Sequence, residues 1–145
     1  AIALSPDEKT LYVADGDVNA AQRELRAYSV QADGTLAAQH RVLMTFGADY
    51  RGAHRGIEGL AVDSEGNLIA CAGWAKSGAG PRVYVISPEG AVLESHPSPA
   101  DLPMRVAFGD EGLKSLYLTA ADGNVYRAKN TGRKGLPRPV KAVSA

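Results

Sequence analysis

Short apolar runs alternate with turns rich in glycine, aspartate and proline, and the same order of runs recurs three times along the chain. Each recurrence has an apolar run, an acidic turn and a second apolar run that ends in small residues. The three segments start at Ile2, Leu60 and Val106 and read IALSPDEKTLYVADG, LAVDSEGNLIACAGW and VAFGDEGLKSLYLTAADG. Runs of this length and composition, separated by turn residues, predict antiparallel β-strands.

A third run follows each pair: ELRAYSV, RVYVISP and NVYRAKN. In RVYVIS the apolar and polar positions alternate, which predicts a half-buried strand. The first two repeats also have a fourth run, LAAQHRVLM and AVLESH, reached through Gly-containing turns.

A four-stranded antiparallel unit that recurs every 40 to 50 residues or so is typical of a β-propeller blade. Counted from Ala3, Ala61 and Ala107, the spacings are 61 − 3 = 58 and 107 − 61 = 46 residues. We therefore predict an all-β protein made of about three blades, roughly 1–46, 55–99 and 103–130, followed by a tail, 131–145. The first unit is longer because of the loop FGADYRGAHRG.

Two other folds fit the pattern less well. An apolar stripe of helical period is absent over three turns, apart from a weak candidate at NAAQREL. A β-sandwich would not explain four-strand units with the same turn chemistry. Closed propellers have four to eight blades, so we expect the chain to be a piece of a longer protein or to pair with a copy of itself.

The charge balance argues against nucleic acid as a partner. The 145 residues contain 16 Lys plus Arg and 16 Asp plus Glu, a formal net charge of zero, which provides no long-range positive field. One domain is expected at this length. A local basic group is interpreted as a solvated tail: Arg127, Lys129, Arg133, Lys134 and Arg138.

The single cysteine, Cys71, excludes an intramolecular disulfide framework and is expected to be a small buried side chain. No apolar stretch approaches the roughly 20 residues of a membrane span, and no signal-like segment opens the chain. These observations predict a soluble protein and leave the compartment, cytoplasmic or periplasmic, open.

Four phrases in order resemble the C-terminal half of the gluconolactonase and senescence marker protein (regucalcin) family: ALSPDEKTLYVADG, GIEGLAVDSEGNLIACAGW, RVYVISPEGAVLESHPSP and VAFGDEGLKSLYLTAADGNVYR. The resemblance covers about Ile2 to Arg127. It implies a six-bladed propeller that holds a divalent metal, usually calcium, at one mouth of its channel and hydrolyses sugar-acid lactones or related esters.

The resemblance also implies three kinds of metal ligand, and one of them falls on this chain. A Glu and an Asn would lie upstream of Ala1, and the third ligand, an Asp before Gly in the family, corresponds to Glu58. We expect Glu58 to be a metal ligand and the catalytic base, although it is longer than Asp by one methylene. Calcium accepts such carboxylates. The alternative is a solvated acid at a channel rim.

Three further residues are predicted substrate contacts. Arg105 stands where the family often has a small polar residue, and it could hold an anionic substrate through its fork of donors, pair with Glu58, or lie on the surface. Arg55, like Arg51, could line the substrate entrance. His54 lies between them and is expected to be a solvated histidine unless substrate contacts it.

Other acids receive structural interpretations. Asp63 is expected to cap the turn VDSEGN through its carboxylate. Asp15 and Asp17 could bind a cation or could be ordinary acids of a loop. The sequence thus predicts a calcium-type hydrolase of lactones or related esters. A non-catalytic propeller that binds a small ligand or a protein at its channel mouth is the alternative. No membrane partner is expected.

Overall fold

The computed structural model describes residues 1–17, 19 and 22–137, and within them the chain is a succession of antiparallel sheets. The helical structure in these residues is one 3₁₀ turn, Glu111–Leu113. No helix among them has the length and apolarity to cross a membrane. The prediction of an all-β chain is confirmed, and the helical candidate NAAQREL lies partly outside the described residues.

The first sheet has four strands in the order of the sequence. They are β1 (Ile2–Leu4), β2 (Thr10–Ala14), β3 (Arg23–Val30) and β4 (Leu36–Phe46). Ile2 pairs with Val13 and Leu4 with Leu11 across β1 and β2. Because directly paired residues point to the same side, these four apolar side chains share one face of the sheet.

A two-stranded hairpin precedes the second sheet and occupies the long loop that the sequence showed. Its strands are β5 (Ala48–Asp49) and β6 (Gly52–Ala53). Asp49 accepts a hydrogen bond from Gly78 N at 2.9 Å, and Arg51 donates to Gly78 O at 2.7 Å. These bonds attach the hairpin to the second sheet.

The second sheet also has four strands in sequence order and lies in the middle of the molecule. They are β7 (Ile57–Val62), β8 (Leu68–Trp74), β9 (Ser77–Ile86) and β10 (Val92–Pro97). Leu68, Ala70 and Ala72 pack against the first sheet. Ile69 and Cys71 point the other way, towards the third sheet.

The half-buried interpretation of RVYVIS is wrong. Val83, Tyr84, Val85 and Ile86 are all buried, since the middle sheet is covered on both faces. A strand of this kind keeps the period of two but needs apolar residues at every position.

The third sheet has three strands. They are β11 (Pro103–Gly109), β12 (Ser115–Ala120) and β13 (Val125–Ala128). The sequence likewise showed no fourth run in the last repeat. The outer part of the middle sheet therefore faces an apolar groove of about 540 Å³ beside β13, lined in part by Val83, Val85 and Tyr126.

The innermost strands of the three sheets lie next to one another: β7 contacts both β1 and β11. The sheets thus pack face to face in sequence order around a common inner edge, as blades of a propeller do. The beginnings of β7 and β11 lie side by side, because Gly59 approaches Arg105. This end of the inner strands is called the mouth below.

Part of the expected solvated tail is docked on the sheets. Asp63 forms an isolated bridge with Gly135, and Ser64 N donates to Lys134 O at 2.8 Å. Arg133 contacts two acids at once, the buried Asp63 at 3.1 Å and Glu94 at 2.8 Å. The solvated interpretation is therefore wrong for Arg133, whereas Arg138 lies outside the described residues.

Candidate functional site

Two β-bulges lie side by side at the mouth and shape the candidate site. In β7 the pairing with β8 skips from Ile57 to Gly59, so that Glu58 is the extra residue. In β11 the pairing with β12 skips from Pro103 to Arg105, so that Met104 is extra. Bulges redirect a side chain away from regular alternation and are common beside active sites.

Glu58 is held by one guanidinium and remains partly open to solvent. Its side chain is 30% exposed, and Oε1 lies 3.4 Å from Nε of Arg55. Its second oxygen, Oε2, accepts no hydrogen bond from the residues that the structure describes. Glu58 is therefore a carboxylate with one tethered oxygen and one free oxygen at the mouth.

Arg105 contacts the backbone of Glu58 and not its carboxylate. Its Nη1 donates to Glu58 O at 2.8 Å and to Met104 O at 2.7 Å. Of the alternatives weighed for Arg105, the ion pair with Glu58 is not formed, and backbone hydrogen bonds connect β7 with β11 instead. Arg105 is exposed, so the rest of its guanidinium faces solvent.

Arg55 completes this group, which we call the mouth cluster: Glu58, Arg55, Arg105 and Met104. The Arg55 side chain is 16% exposed. Its Nη2 lies 3.2 Å from the Met104 sulfur, which is only a weak acceptor. Its Nη1 is buried and has no hydrogen-bond partner among the residues that the structure describes. The structure thus brings together three of the four sequence-predicted site residues.

The backbone beneath the cluster is packed too closely for any side chain at position 59. A Cβ on Gly59 would lie 2.8 Å from Arg105 Cα and 2.8 Å from Cys71 Sγ. Burial raises the pKa of the Cys71 thiol to about 11. Cys71 is a protonated packing residue at neutral pH and not a nucleophile, as the sequence interpretation expected.

His54 is apart from this cluster. It is only 7% exposed, so the expectation of a solvated histidine is wrong. Its ring stacks on Phe46 with centroids 4.6 Å apart, and Nδ1 accepts a hydrogen bond from Gly56 N at 2.8 Å. Burial and, to a smaller extent, the charge of Arg23 lower its pKa. Its role as a substrate contact stays a prediction.

Arg23 is a residue that the sequence interpretation missed. It is 7% exposed, and its Nη1 donates to His54 O at 2.8 Å while Nε donates to Asp17 O at 3.0 Å. It therefore anchors the loop that leads to Glu58. Its only signal in the sequence is a charged residue at the start of an apolar strand, which is too common to single it out.

The remaining acids have structural partners. Asp63 is 1% exposed and accepts hydrogen bonds from the backbone N–H groups of Glu65 and Asn67, both at 2.9 Å, which confirms the predicted turn cap. Asp15 lies 3.3 Å from the Arg26 guanidinium and accepts a hydrogen bond from Asp17 N.

A calcium ion needs six to eight oxygen ligands, and the mouth supplies one carboxylate. The described residues contain no group of three or more His, Cys, Asp or Glu placed to hold a metal. Glu58 could supply one carboxylate ligand, and the described residues place no second carboxylate beside it.

Comparison with known proteins identifies the family of the chain. Residues 1–122 match the family described as the SMP-30/gluconolactonase/LRE-like region. A 6-deoxy-6-sulfogluconolactonase of Pseudomonas putida is 32% identical over 123 residues, 85% of this chain and 38% of that protein. A gluconolactonase of Zymomonas mobilis is 30% identical over 131 residues, 88% of this chain and 33% of that protein. The chain spans less than two fifths of the length of these relatives.

Two solved structures have a similar fold. A luciferin-regenerating enzyme superposes with a TM-score of 0.73 at 25% identity, covering 94% of this chain and 46% of that one. Regucalcin from Agrobacterium tumefaciens, described as a calcium-binding protein, gives a TM-score of 0.65 at 22% identity, covering 86% of this chain and 38% of that one. The β-propeller architecture predicted from the repeats is thereby confirmed.

Proposed function

Because the chain belongs to the SMP-30/gluconolactonase/LRE-like family, we propose that the protein hydrolyses lactones of sugar acids or related esters, with Glu58 at the reaction centre. The observation that carries the proposal is the position of this carboxylate. It projects from a bulge at the mouth end of an inner strand, is partly exposed, and lies beside the Arg55 guanidinium, while Arg105 binds the backbone carbonyl of the same residue.

The chemistry requires a base and a stabiliser of negative charge. Water attacks the lactone carbonyl carbon, the ring C–O bond breaks, the ring oxygen takes up a proton, and a hydroxy acid is released. Glu58 is placed to accept the proton of the attacking water, because its side chain is 30% exposed at the mouth. The negative charge that develops on the carbonyl oxygen also needs a positive partner at the mouth, which the divalent metal proposed below would supply.

We also propose a divalent metal, calcium by preference, as the cofactor. Glu58 would be one of its ligands, and the metal would supply polarisation of the lactone carbonyl. Regucalcin, to which the fold is similar, is described as calcium-binding.

A propeller that binds a ligand without catalysis is the second candidate. The ion pair between Arg55 and Glu58 favours it, since the guanidinium lies at Oε1 and leaves only the other carboxylate oxygen for a metal or a water molecule.

Hydrolysis of glucono-1,5-lactone by the full-length gene product, followed by acid release, tests the proposal. Turnover that is lost with EDTA and restored by calcium supports a metal-dependent lactonase. Turnover that is unaffected by EDTA contradicts the metal. No turnover of this lactone or of simple esters by the folded protein supplied with calcium contradicts the hydrolase and favours the binding propeller.

A further inference from the structure

The mouth cluster carries more positive than negative charge. Two guanidiniums, Arg55 and Arg105, contact the same two residues, Glu58 and Met104. One carboxylate belongs to the group, so the side chains in contact there have a net charge of about +1. A divalent metal on Glu58 would increase this excess further. An anion is the natural complement of such a site.

The edge of the Arg105 guanidinium formed by Nε and Nη2 faces solvent. Nη1 uses its two hydrogens on the carbonyl oxygens of Glu58 and Met104. The remaining donors, on Nε and Nη2, have no partner among the described residues. These two nitrogens form the edge of a guanidinium that binds a carboxylate or similar group through two parallel hydrogen bonds. Because the backbone bonds fix the guanidinium plane, little conformational entropy is lost when an anion binds.

Arg55 contributes a second guanidinium to the mouth cluster. Its Nη1 is buried without a hydrogen-bond partner in the part of the chain that the structure describes, and Nη2 faces only the weakly accepting Met104 sulfur. Leaving a buried charged donor unpaired is costly. Because Nη1 is buried, an oxyanion held by Arg105 in the same cluster would offset this cost through its charge and not through a direct hydrogen bond.

We infer that Arg105, assisted by Arg55, is a specificity site for an ionised oxyanion group on the substrate, so that the preferred substrate is an anionic lactone. The inference rests on the proposed hydrolase. Arg105 binds the carboxylate or sulfonate of such a lactone through Nε and Nη2, while the lactone carbonyl lies next to Glu58. Neutral lactones lack the group that the two arginines are placed to bind.

The test compares two lactones that differ at one carbon. Glucaro-1,4-lactone carries a C6 carboxylate where glucono-1,4-lactone carries a CH₂OH group. We expect the wild-type protein to favour the glucarolactone in kcat/KM, mainly through KM. Arg105→Gln should reduce this preference about tenfold or more, because a bidentate charge-assisted pair is lost. Arg105→Lys retains the charge without the fork and should reduce it less.

Arg82→Gln is the matched control. Arg82 also donates to a backbone carbonyl, Ser95 O at 3.3 Å, but on the outer strands β9 and β10. This variant should keep the wild-type preference. Thermal unfolding of each variant shows whether Arg105→Gln has retained the fold, and Arg105→Lys replaces it in the comparison if it has not.

Binding of glucarate and gluconate, measured by calorimetry, separates the inference from the proposed function. If neither lactone is hydrolysed but glucarate binds more tightly than gluconate and this difference requires Arg105, the hydrolase fails and the anion site stands. If both lactones are hydrolysed with no preference that depends on Arg105, the anion site is wrong and the hydrolase stands. If no turnover occurs and neither product binds, both are wrong.

Discussion

Glu58 and His54 lie four residues apart, yet the fold gives them opposite environments. Glu58 is on a bulge at the mouth, with 30% of its side chain exposed. His54 is packed between Phe46 and the backbone near Gly78, where a Cβ would lie 2.3 Å from its ring. At the residue scale, the carboxylate is therefore available for chemistry, while the imidazole contributes mainly to packing of the loop that leads to Glu58.

Burial of His54 predicts a pH-dependent stability. Its pKa is lowered in the folded protein from an unfolded value of about 6.5, so the unfolded state binds the proton more tightly. The contribution of neutral His54 is complete above about pH 6.5 and is lost as the pH falls towards the folded pKa. Between pH 7 and 5.5, the free energy of unfolding in urea should fall more for wild type than for His54→Gln, by up to about 1 kcal/mol.

His40→Gln is the control for this measurement, because His40 lies on the exposed side of β4. It should follow the wild-type pH dependence. Parallel pH profiles for wild type and His54→Gln would contradict the account of His54.

At the scale of elements, the site depends on how closely two inner strands approach. Gly59 of β7 lies against the backbone of β11, and the bulges at Glu58 and Met104 face each other across this contact. Arg105 then connects the two strands through the carbonyl oxygens of Glu58 and Met104. Glycine is required at position 59 by close approach and not by its backbone angles.

Gly59→Ala should therefore destabilise the protein and disturb the site together. The added Cβ would lie within 2.9 Å of Arg105 Cα, Cys71 Sγ and Met104 O, and overpacking of this kind costs about 1–3 kcal/mol. Urea unfolding measures the loss. Gly47→Ala is the matched control, since a Cβ there would meet nothing within 4 Å. Equal stability of the two variants would show that β7 and β11 are not in close contact.

Strands and turns could be predicted from the sequence because both depend on local signals. Apolar runs predicted β2, β8 and β12, and the position of Asp63 in the turn VDSEGN predicted that its carboxylate caps this turn. Contacts between distant segments could not be predicted in this way. The ion pair of Arg133 with Asp63 spans 70 residues, and nothing in the local pattern indicates it.

The candidate site likewise combines residues that the sequence indicated with contacts that it did not indicate. The resemblance singled out Glu58, and the unusual residue at its motif position singled out Arg105. The two bulges determine which arginine contacts which part of Glu58. Arg105 binds its backbone carbonyl, and Arg55 pairs with its carboxylate. A bulge adds one residue without a distinctive composition, so the sequence alone did not reveal it.

At the scale of the whole molecule, the stack of sheets ends in open faces. On the first sheet, Ile2 is 68% and Leu4 is 45% exposed, and they share a face with Leu11 and Val13. On the third sheet, Val125 is 66% exposed. Apolar sheet faces in the interior of this molecule are covered by a neighbouring sheet, so we expect the outer faces to be covered as well.

The 145-residue chain on its own should therefore self-associate. Light scattering should give a mass above the 15.2 kDa of one chain, and the double variant Ile2→Ser with Leu4→Ser should lower it, because it removes apolar area from the open face. Tyr50→Ser, which changes a 96% exposed residue on the β5–β6 hairpin, should leave the mass unchanged. A wild-type chain that is monomeric and unfolds cooperatively would contradict this expectation.

Replacement of Glu58 tests the claim that this carboxylate acts in lactone hydrolysis. The rate of glucono-1,5-lactone hydrolysis is measured for the full-length gene product and for Glu58→Gln, with calcium supplied to both. Glutamine has the same shape but neither the charge nor the basicity, so kcat should fall about 10²–10⁴-fold. Glu65→Gln, in the exposed turn after β7, should retain wild-type turnover. A Glu58→Gln protein that hydrolyses the lactone at the wild-type rate would contradict the claim.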